Sequence, residues 1–467
     1  MSKKPNILFI ISDQFRWDCL SIAGHPTVET PNLDDIASSG VRFTNAYSSC
    51  PSCIAARASI FTGKNPDHTG FLGYEDCNDW DFENMLPQML RDDGYQTHCV
   101  GKTHFYPQRK HCGFEGLDSY EASQNLDGDY VNDYFEWVNE KTDGKLHERD
   151  LGLGSNSWMA KPSLLPEELH NNTWVVEKGM DFIRRRDKTR PYFLNLSFVR
   201  PHPPIDPPKE FWDMYKDIEI DSVPIGNWSE KHDVEVTDPE AWHGKLETED
   251  LRKCRMGYYA QIAHIDMQIG RMIEYLEQFE ESPDMIIFTS DHGEMLGDHN
   301  MFRKTYAYEG SAAVPLIIKT TKSDAHIVRD EPVVLEDIYA TILGFAGTKL
   351  PSEVDSIDLN PLLSKTGAIS REWVHGEHSS CYSEDEAMQF ITDGVYKYIW
   401  FTATGREQLF NLVDDPYECD DLSGKPIFAD ELTKWRDLMI QRLATRPQDG
   451  LSDGERLIKG VIGATRK

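Results

Sequence analysis

Cys53 and Arg57 stand four residues apart in the stretch 48–63, SSCPSCIAARASIFTG. On a helix that spacing puts a thiol in the first turn and a guanidinium one turn further along the same face. Unpaired backbone N–H groups and the helix dipole favour negative charge in that first turn, so the pair is placed to attack an anionic ester. Ser52 is expected to cap the helix through its side chain, and Gly63 to end it in a left-handed turn. Ile54, Ala58 and Phe61, at i, i+4 and i+7, would form the core-facing side of an amphipathic helix. A single cysteine is more often a small buried hydrophobe, and it is the company of Cys53 that points to chemistry. Cys50 and Cys53 also read as C-x-x-C, but no thioredoxin-like context surrounds them.

Four other polar groups each follow a short apolar run. Asp13 and Gln14 follow Asn6 to Ser12, and Lys102 and His104 follow Tyr95 to Val100. His202 follows Tyr192 to Val199, and Asp291 and His292 follow Asp284 to Ser290. The runs read as strands buried on both faces. Alternating with helices, they predict an α/β fold: a large, mostly parallel sheet flanked by helices. Ligands bind beyond the carboxyl ends of such strands, where all four groups would meet. Asp13, Gln14, Asp291 and His292 offer two carboxylates, an amide and an imidazole, a set suited to one divalent cation. Oxygen donors favour calcium, magnesium or manganese, and the imidazole shifts the preference toward manganese. Arg57, Lys102, His104, His202 and Lys304 remain to bind an anion and move protons.

The elements that must position these residues follow from periodicity and breakers. Helices are expected over 32–39, 83–93, 172–186, 248–279 and 335–345, and a further strand over 314–319. The stretch 119–169, rich in Asp, Asn, Gly and Ser but with recurring apolar residues, reads as an insertion over the site. The stretch 207–236 reads as loop and turns. A boundary near 359–366 divides a catalytic domain, 1–365, from a smaller domain, 366–467. Alternating runs at 388–392 and 396–401, then a helix at 430–444, give the smaller domain an antiparallel sheet and one helix.

Lys plus Arg total 48 against 79 Asp plus Glu in 467 residues, a formal charge of −31. That balance argues against nucleic acid or an anionic membrane as partner, and an anionic substrate would need a locally cationic pocket. The hydrophobic content of 39% is enough for a large core. No stretch of about 20 apolar residues is present to span a membrane. The run Ile7 to Ile11 is too short for a signal peptide. Nine cysteines, scattered and odd in number, with no export signal, point to the cytoplasm. The oligomeric state is left open, a homo-oligomer included.

Cys53-Ile54-Ala55-Ala56-Arg57, with Thr62-Gly63 downstream, resembles the sulfatase signature C-x-(P/A/S)-x-R followed by T-G. Ala55 stands where most members have proline. The likeness extends through PNILFIISDQ, TPNLDDIASSGVRFTNAY, GKTHF, FVRPHPP, YYAQIAHIDMQIGRMIEYL, SDHGEMLGDHNMFRKTYAYEGSAAVPLII and QLFNLVDDPYE. CIAAR and GYED resemble bacterial arylsulfatases whose cysteine is matured by an anaerobic, radical-type enzyme, which would be a transient partner. The resemblance implies an alkaline-phosphatase-like fold and hydrolysis of a sulfated small molecule or sugar. It implies that Cys53 is oxidised to formylglycine beside one divalent cation, Ca2+ or Mn2+, held by Asp13, Gln14, residue 53, Asp291 and His292.

In the implied mechanism the hydrated aldehyde attacks sulfur, activated by the metal and Asp291. His202 or Lys304 protonates the leaving alcohol, and Arg57, Lys102 and the metal neutralise the sulfuryl oxygens. His104 helps to deprotonate the second hydroxyl, and sulfate departs as the aldehyde re-forms. Many sulfatases carry Asp-Asp and Asp-Asn where this chain has Asp13-Gln14 and Asp291-His292. These pairs resemble choline-sulfatase-like enzymes and phosphonate monoester hydrolases, which keeps phosphonate monoester or phosphodiester hydrolysis as the alternative and allows Gln14 to stand behind the ligands. A third reading, an unmatured protein that binds sulfated ligands, has no need of the cysteine.

Overall fold

A computed structural model describes residues 4–121, 130–220 and 222–466. Its centre is an eight-stranded sheet in the order 116–119, 96–101, 192–198, 7–12, 285–289, 316–320, 41–43, 327–329. The first five strands run parallel, as the buried apolar runs predict. Leu316–Thr320 runs against both of its neighbours. The register levels the strand ends, pairing Ser12 with Phe198, Ile11 with Thr289 and Gly101 with Ser197. Asp13, Lys102 and Asp291, each one or two residues further on, therefore leave the sheet at the same edge.

Alternation along the strands divides the core. Leu8, Ile10, Leu194, Leu196, Ile286 and Phe288 pack on one face, under helices Asn171–Arg185 and Thr248–Gln278. Ile7, Phe9, Ile11, Phe193, Met285 and Ile287 pack on the other, under helices Cys53–Thr62 and Asp337–Ala346. The helix Cys53–Thr62 is not amphipathic: all ten of its residues are buried. It lies wedged between the sheet and neighbouring segments, so even its Arg57 face is interior. Gly63 ends it in the left-handed conformation, but the Ser52 side chain makes no capping bond.

Two loop-like stretches carry more structure than periodicity suggested. The segment 207–236 contains a helix, Lys209–Tyr215, whose Phe211, Trp212 and Tyr215 pack on the core. Its two leading prolines and seven-residue length hid it from a pattern argument. Of the insertion, residues 122–129 lie outside the described residues. The remainder forms a helix, Asp133–Thr142, and contributes Tyr134, Val138 and Leu165 to the core. It reaches the site at Glu121, which accepts bonds from the backbone N–H groups of Thr103 and His104 at 2.7 and 2.9 Å.

Beyond residue 366 lies an antiparallel sheet of Val374–His378, Met388–Thr392, Tyr396–Phe401 and Glu407–Asn411. One face packs under helix Ala429–Ala444 through Trp435, Met439 and Leu443. The other carries Val374, Phe390, Ile399 and Phe410 onto Tyr47, Met295 and Tyr306 of the larger unit. The fold is thus the one predicted, a mostly parallel α/β sheet with a small antiparallel sheet and helix after it. No helix among the described residues is long and apolar enough to cross a membrane.

Candidate active site

The sharp turns after the strands aim the functional side chains inward. Gly101 has φ +105°, and a Cβ there would lie 1.9 Å from the Ser197 carbonyl oxygen. Only glycine lets the chain turn so tightly, with Lys102 N–H bonded to that carbonyl at 3.0 Å. Gln14 and His104 take the same strained sign of φ, at +67° and +61°, as residues at functional turns often do. His202 N–H donates to the Asp13 carbonyl at 3.1 Å, locking two strand ends together. The Lys304 turn is tied to the nucleophile loop through Thr305 N–H and Pro51 O, 3.0 Å apart.

Asp13, Cys53, Asp291 and His292 are buried, and their ligand atoms all lie within 4.8 Å of one another. Each carboxylate gives one oxygen to a cation. Asp13 Oδ2 meets the Lys102 ammonium, and Asp291 Oδ2 accepts from Arg57 Nε at 2.8 Å. The other oxygens turn to His292, whose Nε2 is 3.5 Å from Asp13 Oδ1 and 3.8 Å from Asp291 Oδ1. Cys53 Sγ is 3.1 Å from the same Nε2. His292 Nδ1 donates to the Gly293 carbonyl at 2.9 Å, which aims Nε2 at the cluster; burial opposes charge on the ring, but Asp291 and Cys53 raise its pKa. A backbone partner that fixes the ring in this orientation is a usual support of a metal-bound histidine. Two carboxylate oxygens and this nitrogen fit a divalent cation, at the ligand distances of about 2.0–2.6 Å such ions take.

The electrostatics agree with this fit. Burial pushes the Asp291 carboxyl up, and the nearby Asp13 charge pushes it further. Burial and Cys53 act on Asp13 in the same sense, yet Lys102, His202 and Arg57 hold it well below the usual carboxylate range. The two acids resist a second negative charge, a strain that a dication relieves. Burial also opposes ionisation of the Cys53 thiol, but Lys102, Lys304 and His292 bring its pKa well below the ordinary thiol value.

The remaining residues divide into two roles. Arg57, expected to meet the anion, bonds Asp291 through Nε and the Lys102 carbonyl and Ser197 Oγ through Nη1, at 2.8 and 2.9 Å for the last two. Its Nη2 makes no hydrogen bond among the described residues and lies 3.8 Å from Asp13 Oδ2. Lys304 Nζ lies 2.8 Å from both His202 Nε2 and Gln14 Oε1. Gln14 thus turns its side-chain oxygen to Lys304 and its backbone N–H to Asp291 Oδ1, at 3.2 Å. His202 Nδ1 donates to the Pro203 carbonyl at 2.8 Å, leaving Nε2 to accept from Lys304. Burial, then the Lys304 charge, lowers the His202 pKa to about 4. The His104 ring lies 3.8 Å from Asp76 Oδ1. Glu294, which meets the Gln14 amide, and Ser197, which meets Arg57, escaped the sequence reading. Glu294 stands three residues beyond Asp291, whereas Ser197 sits inside an apolar strand that carries no signal.

The buried cysteine at a helix start, set among cations and acids at the carboxyl edge of a mostly parallel sheet, belongs with an alkaline-phosphatase-like fold. The sulfatase family model matches residues 5–348, and the model of the N-sulphoglucosamine sulphohydrolase C-terminal region matches residues 297–445. The chain is 40% identical to an arylsulfatase of Clostridium perfringens, with 99% of each chain covered. It is 29% identical to a choline-sulfatase of Rhizobium meliloti, over 93% of this chain and 86% of that one. Among solved structures, the phosphonate monoester hydrolase of Agrobacterium radiobacter shares the fold with a TM-score of 0.78 at 23% identity, covering 95% of this chain and 96% of that one. The chain belongs to the sulfatase family and is a sulfatase.

Proposed function

We propose that the protein hydrolyses sulfate monoesters to alcohol and sulfate after Cys53 has been converted to formylglycine by a maturing enzyme. The observation that carries this reading is the meeting of Cys53 with Asp13, Asp291 and His292 in one buried cluster. Asp13, Asp291 and His292, with residue 53, would hold one divalent cation, Ca2+ or Mn2+, and Gln14 stands beside them. The hydrated aldehyde supplies a nucleophile that can later release sulfate, and the cation supplies Lewis-acid charge at a sulfuryl oxygen.

The chain's own residues do the rest. Lys102 neutralises Asp13 and presents positive charge beside residue 53. Arg57 keeps Asp291 turned toward it. Lys304, its ammonium bonded to the neutral His202, holds a proton at Nζ for the departing alcohol oxygen. His104, its ring 3.8 Å from Asp76 Oδ1, would take a proton from the nucleophile's second hydroxyl. All nine cysteines are free thiols, which supports a reducing compartment, the cytoplasm.

A diester or phosphonate must seat a second substituent on the central atom. A sulfate monoester presents three bare oxygens, which Lys102, Lys304, His104 and the cation would cover. The test is kcat/KM for an aryl sulfate against an aryl phosphonate monoester on the matured enzyme. A preference for sulfate is expected, and a preference for the phosphonate would replace this reading with the alternative.

A further inference from the structure

Lys304 can serve as an acid only if its proton is aimed. Its ammonium carries three N–H bonds. Two are taken, by His202 Nε2 and Gln14 Oε1, each at 2.8 Å. The ammonium is tetrahedral, so with two bonds pinned the third has one direction left. That direction depends on which end of the Gln14 amide faces the lysine. The two ends have nearly the same shape and opposite chemistry: the oxygen accepts and the nitrogen donates. A nitrogen turned to Lys304 would set donor against donor.

Glu294 decides between them. Its Oε2 accepts from Gln14 Nε2, so the Gln14 oxygen faces the other way, toward Lys304. Glu294 Oε1 accepts from the backbone N–H groups of Leu296, at 2.9 Å, and of Arg303. The carboxylate is therefore anchored on the Lys304 turn itself, at the residue before the lysine. Glu294 and Lys304 are 5% exposed, His202 3% and Gln14 1%, so solvent does not compete for these bonds. The Gln14 backbone is fixed as well. Tyr258 OH donates to its carbonyl at 2.6 Å, and its N–H donates to Asp291 Oδ1 at 3.2 Å. Only the side-chain amide is left to turn, and its partner on the far side from Lys304 is Glu294.

We propose that Glu294 is a positioning residue for the reaction: it fixes the orientation of the Gln14 amide and through it aims the third Lys304 proton at the departing oxygen. The inference rests on the reading of Lys304 as the acid and extends it to a residue that meets no reacting atom. A carboxylate at position 14 could not serve beside Glu294, since two acceptors would meet with no proton between them.

Glu294→Gln inverts the device without shortening a side chain. The Leu296 and Arg303 N–H groups keep the oxygen of the new amide, so its nitrogen faces Gln14. Gln14 must then turn its oxygen to that nitrogen and its own nitrogen to Lys304. The experiment measures kcat/KM of the matured enzyme on aryl sulfates from 4-nitrophenyl to 4-methoxyphenyl sulfate, whose phenols become progressively less acidic. An acid contributes most where the leaving group is poorest. The ratio of turnover on the 4-methoxyphenyl ester to that on the 4-nitrophenyl ester should fall about 10-fold or more in Glu294→Gln. Adding Gln14→Glu gives both neighbours an acceptor again and should recover most of that loss. On a Lys304→Ala background, where the ratio has already fallen, Glu294→Gln should lower it by less than about 3-fold more, because it acts through the missing ammonium. A ratio that falls in Lys304→Ala and stays level in Glu294→Gln refutes this inference alone, as does a double variant without recovery. A level ratio in Lys304→Ala removes the acid reading and this inference with it, and turnover of no aryl sulfate removes the sulfate-ester reading too. Gln14→Met, which deletes both ends of the amide at nearly the same length, should lower the ratio in the same way and decides the matter should Glu294→Gln not fold.

Discussion

Removing the Arg57 guanidinium should expose the cost of holding two acids under the nucleophile helix. Arg57 is fully buried, bonds Asp291 at 2.8 Å and lies 3.8 Å from Asp13, both of them fully buried. Arg57→Met keeps the length and apolar stem of the side chain but strips a partner from a buried carboxylate. Breaking such a pair costs about 3–5 kcal/mol, a large share of the roughly 5–15 kcal/mol that holds a protein folded. The loss carries a pH signature. The Asp291 pKa is already raised by burial and by Asp13, and without Arg57 it rises further. An acid whose folded pKa lies above its unfolded value destabilises the fold above that pKa and is relieved as pH falls through it. The difference between variant and wild type, followed by denaturant unfolding with chelator present, should therefore be largest at alkaline pH and shrink as pH falls toward the ordinary carboxylate range. A loss below about 1 kcal/mol, the level of an exposed ion pair, or one independent of pH, would refute the reasoning.

Cys53→Ala should abolish turnover and leave circular dichroism and the melting temperature close to wild type, since the position is small and helical. Lys304→Ala should reduce kcat by about 10²–10⁴-fold on alkyl sulfates, and much less on esters of acidic phenols, which need no proton; equal losses would deny Lys304 the acid role. His202 ionises at about 4 in the fold against 6.5 for an ordinary histidine. Its buried neutral ring therefore supports the fold fully above pH 6.5, and about 3 kcal/mol of that support is lost as pH falls from about 6.5 to about 4. His202→Gln should flatten that acid limb in urea titrations. Gly101→Ala, which drives a methyl into the Ser197 carbonyl, should lower the melting temperature and disturb Lys102 at once.

The fold was legible because buried parallel strands have a plain signature. Asn6 to Ser12 and Asp284 to Ser290 are unbroken apolar runs that end in acids, and alternation along them did build two cores. The site was legible in its residue types for the same reason, since each polar group follows a strand. Roles were harder to read. Spacing along a helix could not tell that the Arg57 face is interior, where the guanidinium also meets Asp291. Ser52 had the right type for a cap without making the bond.

The central claim is that residue 53 acts as formylglycine, and peptide mass spectrometry joined to kinetics tests it most directly. Preparations with graded maturation, from none to full, would be digested, the aldehyde fraction at residue 53 measured, and aryl sulfate turnover recorded for each. The account predicts kcat proportional to the aldehyde fraction, with an intercept at zero. Full-rate turnover by protein whose Cys53 is still a thiol would contradict it.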